Sequence, residues 1–285
     1  MFLPQVANAK QPPARPQQDL EGDLSPNVRI VARLSSADII DVAEDRIMAV
    51  LVRESYDRAV AELIAHRIAN VNVEKLGTYQ EAGIKFYGNP FFDSNNDADE
   101  RERYFKTALQ INADIRDLFS PYACPSDTLR SVLDEIWPSG ANLLTLDGRK
   151  MCSAICRIFD HGGEALPHQD NLSWDAPSSP DAQQFKRVLT ALTYLKMSGQ
   201  GGEVELWNEL LGIGDYNDRR LKNTYGLRRD AIGMPELVLK PSPGDMLIFN
   251  ASKIHAVRAV QSGYRATISS FIGFVGRRQS LKVWQ

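Results

Sequence analysis

A histidine and an aspartate stand two residues apart in the segment His168-Gln169-Asp170. On an extended strand, side chains at positions i and i+2 point to the same face, so one imidazole and one carboxylate can reach the same ion. A third ligand must come from elsewhere in the chain, and His255 is the best candidate. Two histidines and one carboxylate on one side of an ion, with open positions opposite, suit a non-heme Fe(II) centre that reacts with O₂.

The surroundings of His255 strengthen this interpretation, because a lone His-x-Asp pattern is common by chance. His255 follows the turn-rich segment PSPGDMLIFNASKI, and Arg265 and Thr267 come after the next turn. Arginine presents a planar fork that binds a carboxylate through two hydrogen bonds, and we expect Thr267 to point to the same face. The Gly-Gly-Glu segment at 201–203 lies between the two ligand segments, where a barrel needs a tight reversal.

The elements that position these residues change in character near Gly140. Before it, helical periodicity predicts three main helices, at 56–69, 97–119 and from Ser126 to about Trp137, with Ser55, Asp97 and Ser126 as their N-caps. After it, apolar residues alternate and Gly, Pro and Asp-Gly turns separate at least seven short strands. This pattern favours an α+β fold in which a helical N-terminal half packs on a jelly roll or another double-sheet barrel.

The chain divides into three parts on this basis. Residues 1–27, rich in Pro, Gln and Ala, are expected to be a disordered leader. Residues 28–285 are expected to form one domain, helical over about 28–140 and a jelly roll over about 141–276. The irregular segment 77–96 is interpreted either as a loop whose aromatic residues pack beneath it or as a cover that lines the substrate pocket, and segment 208–235 either as a functional insertion or as a surface excursion.

Composition limits the function classes. The 285 residues carry a net charge of −3, with 43% hydrophobic and 24% charged residues, as in ordinary globular proteins. This balance gives no reason to expect nucleic acid or a membrane as a partner, and no apolar run is long enough to cross a bilayer. The three cysteines form no disulfide framework, so a reducing, cytoplasmic setting is expected.

The joint order of His168-x-Asp170, GGE, PGDMLIF, His255 and Arg265 resembles the Fe(II)/2-oxoglutarate-dependent oxygenases over about residues 150–275. The resemblance implies a double-stranded β-helix (cupin-like) core and the cofactors Fe(II), 2-oxoglutarate and O₂. It also implies residue roles, with His168, Asp170 and His255 as iron ligands and with Arg265, helped by Thr267, binding the distal carboxylate of 2-oxoglutarate.

A further likeness concerns the freestanding aliphatic halogenases and the N-substituted amino acid hydroxylases. It rests on the helical first half, on the segment Cys156-Arg157-Ile158-Phe159 and on His-x-x-Asn from His168 to Asn171. The halogenases have glycine at the position of Asp170, which lets chloride bind iron. The carboxylate retained here therefore implies hydroxylation. Arg157 is either a further residue that binds 2-oxoglutarate or a strand arginine on the surface.

The implied reaction is hydroxylation of an unactivated C–H bond in a small molecule, either an amino acid derivative or a specialised metabolite, with release of succinate and CO₂. The same centre could serve desaturation, cyclisation or epimerisation. A zinc-dependent hydrolase with the same three ligands, or a barrel that only binds a ligand, are the alternatives from other classes. The protein is expected to be a monomer or a homodimer.

Overall fold

A large mixed sheet forms the centre of the computed structural model, which describes residues 27–71, 77–79, 82–94 and 97–285. Within that range the sheet has ten strands, in the order β1-β2-β13-β10-β15-β8-β4-β3, with β16 beside β15 and β5 beside β16. Their bounds are β1 Val28–Val31, β2 Ala49–Val52, β3 Gly77–Tyr79, β4 Ile84–Tyr87, β5 Ala141–Leu143, β8 Ile155–Phe159, β10 Arg187–Lys196, β13 Met246–Asn250, β15 Arg265–Phe274 and β16 Leu281–Trp284.

The central strand is β15, which is buried along its whole length. It pairs with β10 on one side and with β8 and then β16 on the other. Because successive side chains of a strand point to opposite faces, Ala266 and Ile268 pack under the helices while Arg265 and Thr267 point to the other face. The strand is covered on both faces, so residues that point to either face are buried.

A second, smaller sheet has the strand order β12-β11-β14-β9, with β9 Ala165–His168, β11 Val204–Leu206, β12 Leu237–Leu239 and β14 His255–Val257. Apolar residues of this sheet share one buried cluster with the inner face of the large sheet, for example Leu206 and Val257 with Phe249 and Tyr194. A short hairpin, β6 Thr145–Leu146 and β7 Arg149–Lys150, turns at the predicted Asp147-Gly148.

Helices cover the outer face of the large sheet. The described helices are α1 Ser36–Ala43, α2 Arg58–Ala69, α3 Ala98–Phe119, α4 Pro125–Ile136, α5 Leu172–Asp175, α6 Pro180–Gln183 and α7 Ile213–Arg219. Ile64 and Ile68 of α2 pack with Ile115 and Phe119 of α3 against Ile158 of β8. The three and four-residue spacing within each helix turns these apolar side chains to the sheet.

The prediction of a mainly helical first half was wrong in part. Four strands of the large sheet, β1 to β4, come from that half, and β3 and β4 lie within the segment that was expected to be loop. Short strands with aromatic residues and glycine carry little periodicity, and their pairing with a distant strand decides their conformation. The strand β16 was missed for the same reason.

Two predicted N-caps were also wrong. Asp57, rather than Ser55, caps α2, and its carboxylate accepts a hydrogen bond from the backbone N–H of Val60 at 2.9 Å. Cys124 precedes α4 because Pro125 occupies the first turn, where its fixed φ suits a helix and its missing N–H costs nothing. The prediction that Asp97 caps α3 is confirmed.

The predicted leader 1–27 lies outside the described residues, apart from Asn27. Along the described part of the chain, no helix is both long and apolar enough to cross a bilayer.

Candidate metal centre

The two predicted histidine ligands are direct neighbours across two antiparallel strands. His168 ends β9 and His255 begins β14, and the strand register pairs these two residues. Side chains of directly opposed residues lie on one face with Cβ atoms about 4.5–5.5 Å apart, and the two imidazole centroids are 4.2 Å apart. The rings of these two residues therefore lie side by side, although the residues are distant in sequence.

Asp170 lies just past the end of β9, where its backbone N–H donates to the carbonyl of Ala251 at 2.8 Å. Its carboxylate oxygens lie 3.2 Å from Nε2 of His255 and 3.8 Å from Nε2 of His168. Ligand atoms of the three residues all lie within 4.8 Å of one another, so the group could hold one metal ion. Asp170 was expected on the strand itself, but the strand ends at His168.

Hydrogen bonds fix the tautomer of both rings. Nδ1 of His168 lies 2.7 Å from the carbonyl oxygen of Leu166, and Nδ1 of His255 lies 3.0 Å from that of Lys253. A carbonyl only accepts, so each Nδ1 carries the proton and each Nε2 keeps a lone pair. Metal-binding histidines are commonly oriented by such a bond from the second nitrogen.

The electrostatics favour a neutral imidazole and an ionised carboxyl. Burial, together with the neighbouring His255, lowers the pKa of His168 to about 4. Burial raises the pKa of Asp170, but its contacts with His255 and His168 and the nearby charge of Arg157 outweigh this effect, so the pKa of Asp170 is lowered. These are the protonation states in which both groups bind a cation.

The guanidinium of Arg265 is buried, and two of its nitrogens lack a hydrogen-bond partner among the described residues. It is 1% exposed, and its carbon Cζ lies 4.8 Å from the ring centre of Phe159 and 5.1 Å from that of Tyr194. Among the described residues, neither Nε nor Nη2 of Arg265 has a hydrogen-bond partner. An unpaired buried charge is costly, so these two donors fit a planar anion such as a carboxylate.

The Gly-Gly-Glu turn packs beside this arginine. A Cβ on Gly202, whose φ is +76°, would lie 2.5 Å from Oγ of Ser198 and 3.4 Å from Cδ of Arg265. A Cβ on Gly201, at φ +75°, would lie 2.0 Å from the carbonyl oxygen of Ala259. Glycine is needed at both positions because a side chain fits neither the space nor the backbone conformation.

Arg157 and Thr267 are cross-strand partners on β8 and β15, and Tyr194 of β10 pairs with Thr267 from the other side. Nη1 of Arg157 donates to Oγ of Ser269 at 2.8 Å. The guanidinium of Arg157 also interacts electrostatically with Asp170 and Arg265. Arg157 thus lies on the same face of the sheet as Thr267 and Tyr194, and its role in binding 2-oxoglutarate stays a prediction.

Tyr194 is a residue that sequence reasoning missed. It is completely buried, and its hydroxyl has no hydrogen-bond partner in the described part of the chain. Burial raises the pKa of this phenol, so it keeps its proton and can donate. The available signal was weak, since the only distinction of Tyr194 is that it is the single aromatic residue of β10.

Both irregular segments approach the candidate centre. The ring of Tyr225, from 208–235, meets that of His168 edge-on at 5.2 Å, and its hydroxyl accepts from the backbone N–H of Leu166 at 3.1 Å. Leu227 donates its N–H to the carbonyl of Pro167 at 2.7 Å. The segment 208–235 thus lies against the strand that carries His168.

A cavity that opens to solvent reaches Asp170, and its volume of about 300 Å³ includes open solvent. Phe91 and Phe92, from 77–96, form one wall. The other lining residues are Asn171, Leu172, Asp175, Val188, Phe271, Trp284 and Gln285. The other two histidines lie elsewhere, His66 exposed on α2 and His161 in a turn where Nδ1 contacts the carbonyl of Gln261.

Two curated proteins show partial sequence similarity. "Leucinostatins biosynthesis cluster protein S" of Purpureocillium lilacinum is 29% identical over 155 residues, 52% of this chain and 62% of that protein. "L-isoleucine 3(1)-dioxygenase" of Pantoea ananatis is 27% identical over 135 residues, 43% of each chain. The matched region therefore spans less than two thirds of either relative.

Among solved structures, an N-substituted L-amino acid dioxygenase from Burkholderia ambifaria superposes with a TM-score of 0.60 at 16% identity, over 87% of this chain and 90% of that one. At this identity the similarity concerns the fold. A second structure of this dioxygenase, in complex with alpha-KG, gives a TM-score of 0.57.

The family model described as "Carrier-protein-independent halogenase WelO5" matches residues 29–285. The match covers nearly the whole chain and includes both the helical part and the strands that carry His168, Asp170 and His255. The resemblance to the Fe(II)/2-oxoglutarate-dependent oxygenases, and to their freestanding halogenases, is thereby confirmed. This chain belongs to the family of the carrier-protein-independent halogenase WelO5.

Proposed function

We propose that this protein uses Fe(II), 2-oxoglutarate and O₂ to hydroxylate an unactivated C–H bond of a small molecule, an amino acid derivative or a specialised metabolite. The two sheets would then form the double-stranded β-helix of these oxygenases. The observation that carries the proposal is the buried guanidinium of Arg265, with two unpartnered donors, on the same sheet as Arg157, which interacts with Asp170.

In this proposal His168, Asp170 and His255 hold the metal through two Nε2 atoms and one carboxylate. At the metal held by these residues, O₂ would be the oxidant, with two of its four electrons coming from 2-oxoglutarate, which leaves as succinate and CO₂, and two from the C–H bond. Arg265, with Tyr194 and Thr267 beside it, binds the distal carboxylate of 2-oxoglutarate. Arg157 contributes positive charge between that carboxylate and Asp170.

The retained carboxylate decides between hydroxylation and halogenation. The halogenases that this chain resembles have glycine at the position of Asp170, which leaves a place for a halide on the metal. In this chain both carboxylate oxygens lie near the Nε2 atoms of the histidines. We therefore propose hydroxylation, although the matched family is described as a halogenase.

A zinc-dependent hydrolase would use the same three ligands, but it has no need of a buried arginine directed at an anion. Nor would a barrel that only binds a ligand need three converging metal-binding side chains. The contacts around Arg265 thus favour the oxygenase over both alternatives.

An anaerobic titration of the full chain with Fe(II) and 2-oxoglutarate tests the proposal. We expect a weak visible charge-transfer band that His168→Ala and His255→Ala abolish. Arg265→Ala should keep metal binding but weaken 2-oxoglutarate binding about 100-fold, because two charge-assisted hydrogen bonds are each worth about 1.5–3 kcal/mol.

Arg228→Ala, which removes an exposed arginine, is the matched control and should bind 2-oxoglutarate like the wild type. A wild-type protein that forms no band, or an Arg265→Ala variant that binds 2-oxoglutarate normally, would contradict the proposed function.

A further inference from the structure

The cavity beside Asp170 is lined by both acidic and aromatic side chains. Its lining residues include two carboxylates, Asp170 and Asp175, and no lysine or arginine. In the proposed function, the charge of Asp170 is neutralised by the metal. Asp175 then remains as the only charged side chain among the lining residues.

The carboxylate of Asp175 is held at the end of α5, next to the cavity. The nearest arginine, Arg101, donates from Nη2 to the backbone carbonyl of Asp175 and lies 5.8 Å from the ring centre of Phe91. Burial, helped by the negative charges of Asp170 and Asp93, raises the pKa of Asp175 to about 7 although Arg101 opposes the shift. The carboxylate is thus poorly compensated by the protein.

Gln285 supplies a second and independent feature. Its side chain is 1% exposed and lines the same cavity, and no described residue is a hydrogen-bond partner of its Nε2. Its Oε1 accepts a long bond, 3.5 Å, from Ser269. A buried amide donor without a partner is destabilising unless a ligand supplies an acceptor.

Aromatic rings form the apolar walls. Phe271 and Trp284 lie with their ring centres 5.7 Å apart, and Trp284 also stacks on Phe185. Phe91 and Phe92 complete the opposite wall. Aromatic faces attract cations as well as apolar groups, so a carboxylate within such walls fits an ammonium group attached to a hydrophobic body.

We propose that this cavity binds the substrate through a protonated amine that pairs with Asp175, while Nε2 of Gln285 donates to an acceptor atom of the same molecule. The inference rests on the proposed function, which it extends by naming a substrate class: small primary or secondary amines with an apolar or aromatic body. Asp175 and Gln285 determine specificity, and neither holds the metal.

Matched pairs of probes test this assignment. The full chain is loaded anaerobically with Fe(II) and 2-oxoglutarate at a pH of about 8, where Asp175 is ionised and alkylamines stay protonated. 2-Phenylethylamine and isoamylamine are titrated against 2-phenylethanol and isoamyl alcohol, and binding is measured by calorimetry and by perturbation of the visible band. At least one amine should bind about tenfold or more tightly than its alcohol, as expected for a charge-assisted hydrogen bond.

Asp175→Asn should remove that preference while leaving the visible band unchanged. Gln285→Ala should weaken amine and alcohol about equally, because the lost donor does not depend on the charge of the ligand. Asp215→Asn, at an exposed position of α7, is the matched control and should keep the preference.

The outcomes separate the two hypotheses. If the band forms but no amine is preferred over its alcohol, or if Asp175→Asn retains the preference, the amine assignment is wrong and the oxygenase proposal stands. If the wild-type protein forms no band, the proposed function itself fails.

Discussion

At the scale of single residues, Asp170 separates this chain from the halogenases that it resembles. Its carboxylate faces two Nε2 atoms whose lone pairs are directed away from their backbone hydrogen bonds. A glycine there would remove one of three ligands and leave the two histidines in place. The reaction outcome is therefore expected to depend on this one side chain.

We expect Asp170→Gly to reduce hydroxylation by at least about 100-fold, because even residues that only orient metal ligands contribute about 10–100-fold. Succinate formation under O₂, with and without chloride, and mass spectrometry of products from an amine panel are the measurements. Redirection to a chlorinated product would agree with the proposal.

The control is Asp147→Gly, in a turn where φ is +49° and glycine is tolerated. A hydroxylation rate in Asp170→Gly equal to that of the wild type would show that Asp170 is not a ligand.

Tyr194→Phe tests the co-substrate site. Removing a hydroxyl that has no described protein partner should weaken 2-oxoglutarate binding about fivefold, which corresponds to one hydrogen bond of about 1 kcal/mol. The anaerobic titration measures the change. Tyr56→Phe removes a hydrogen bond to the carbonyl of Ala123 on the outer side and should have no effect; equal affinities for all three proteins would exclude a role for Tyr194.

At the scale of elements, strand pairing assembles the candidate centre. The register of β9 with β14 joins the two histidines, and that of β8 and β10 with β15 aligns Arg157, Thr267 and Tyr194. A slip of one residue would turn each of these side chains to the opposite face. The helices stabilise this register from outside by packing on the large sheet.

An ion pair between α3 and α4 makes the free energy of unfolding depend on pH. Nε and Nη2 of Arg116 donate to the two carboxylate oxygens of Asp127 at 2.6 and 2.8 Å. The hydrogen bond with Arg116 lowers the pKa of Asp127, with burial opposing. The folded state therefore binds this proton less readily than the unfolded state, whose aspartate pKa is about 3.9.

It follows that the pair stabilises the fold above a pH of about 4 and that this contribution is lost as the pH falls through the lowered pKa. Urea unfolding at several pH values should show Asp127→Asn less stable than wild type near neutrality, with the difference shrinking in acid. Asp117→Asn, at an exposed position of α3 next to Arg116, should parallel the wild type. A difference that grows on acidification would contradict this sign.

At the scale of the whole molecule, the candidate centre joins two sheets, because His168 and His255 belong to the small sheet and Arg265 to the large one. An ion held there would bind the folded chain and not the unfolded one. Ligand binding of this kind raises the free energy of unfolding by about 2.7 kcal/mol at 100 times the dissociation constant.

For a chain of this size, that gain should raise the Tm by about 5–10 °C. Differential scanning fluorimetry of the chelator-treated protein, with and without Ni(II) and 2-oxoglutarate, measures it. His255→Ala should lose the increase, whereas His66→Ala, at an exposed position, should keep it. An undiminished increase in His255→Ala would place the ion elsewhere.

The sequence by itself determined the chemistry that is available. The spacing His168-x-Asp170, the turn before His255 and the fork of Arg265 predicted a metal-binding group and an anion-binding arginine, and the structure brings the three metal-binding side chains together. A long helix with one clear period, α3, was also predicted, because local periodicity alone defines it.

Only the tertiary structure decided how those residues meet. His168 and His255 pair although they lie far apart in the sequence. Whether the side chains of Tyr194 and Gln285 have hydrogen-bond partners depends on the residues that surround them in space. The same applies to Asp175, whose environment comes from α3, β16 and the segment 77–96. Hydrogen-bond satisfaction and burial depend on neighbours that are distant in sequence, and a local pattern carries no information about them.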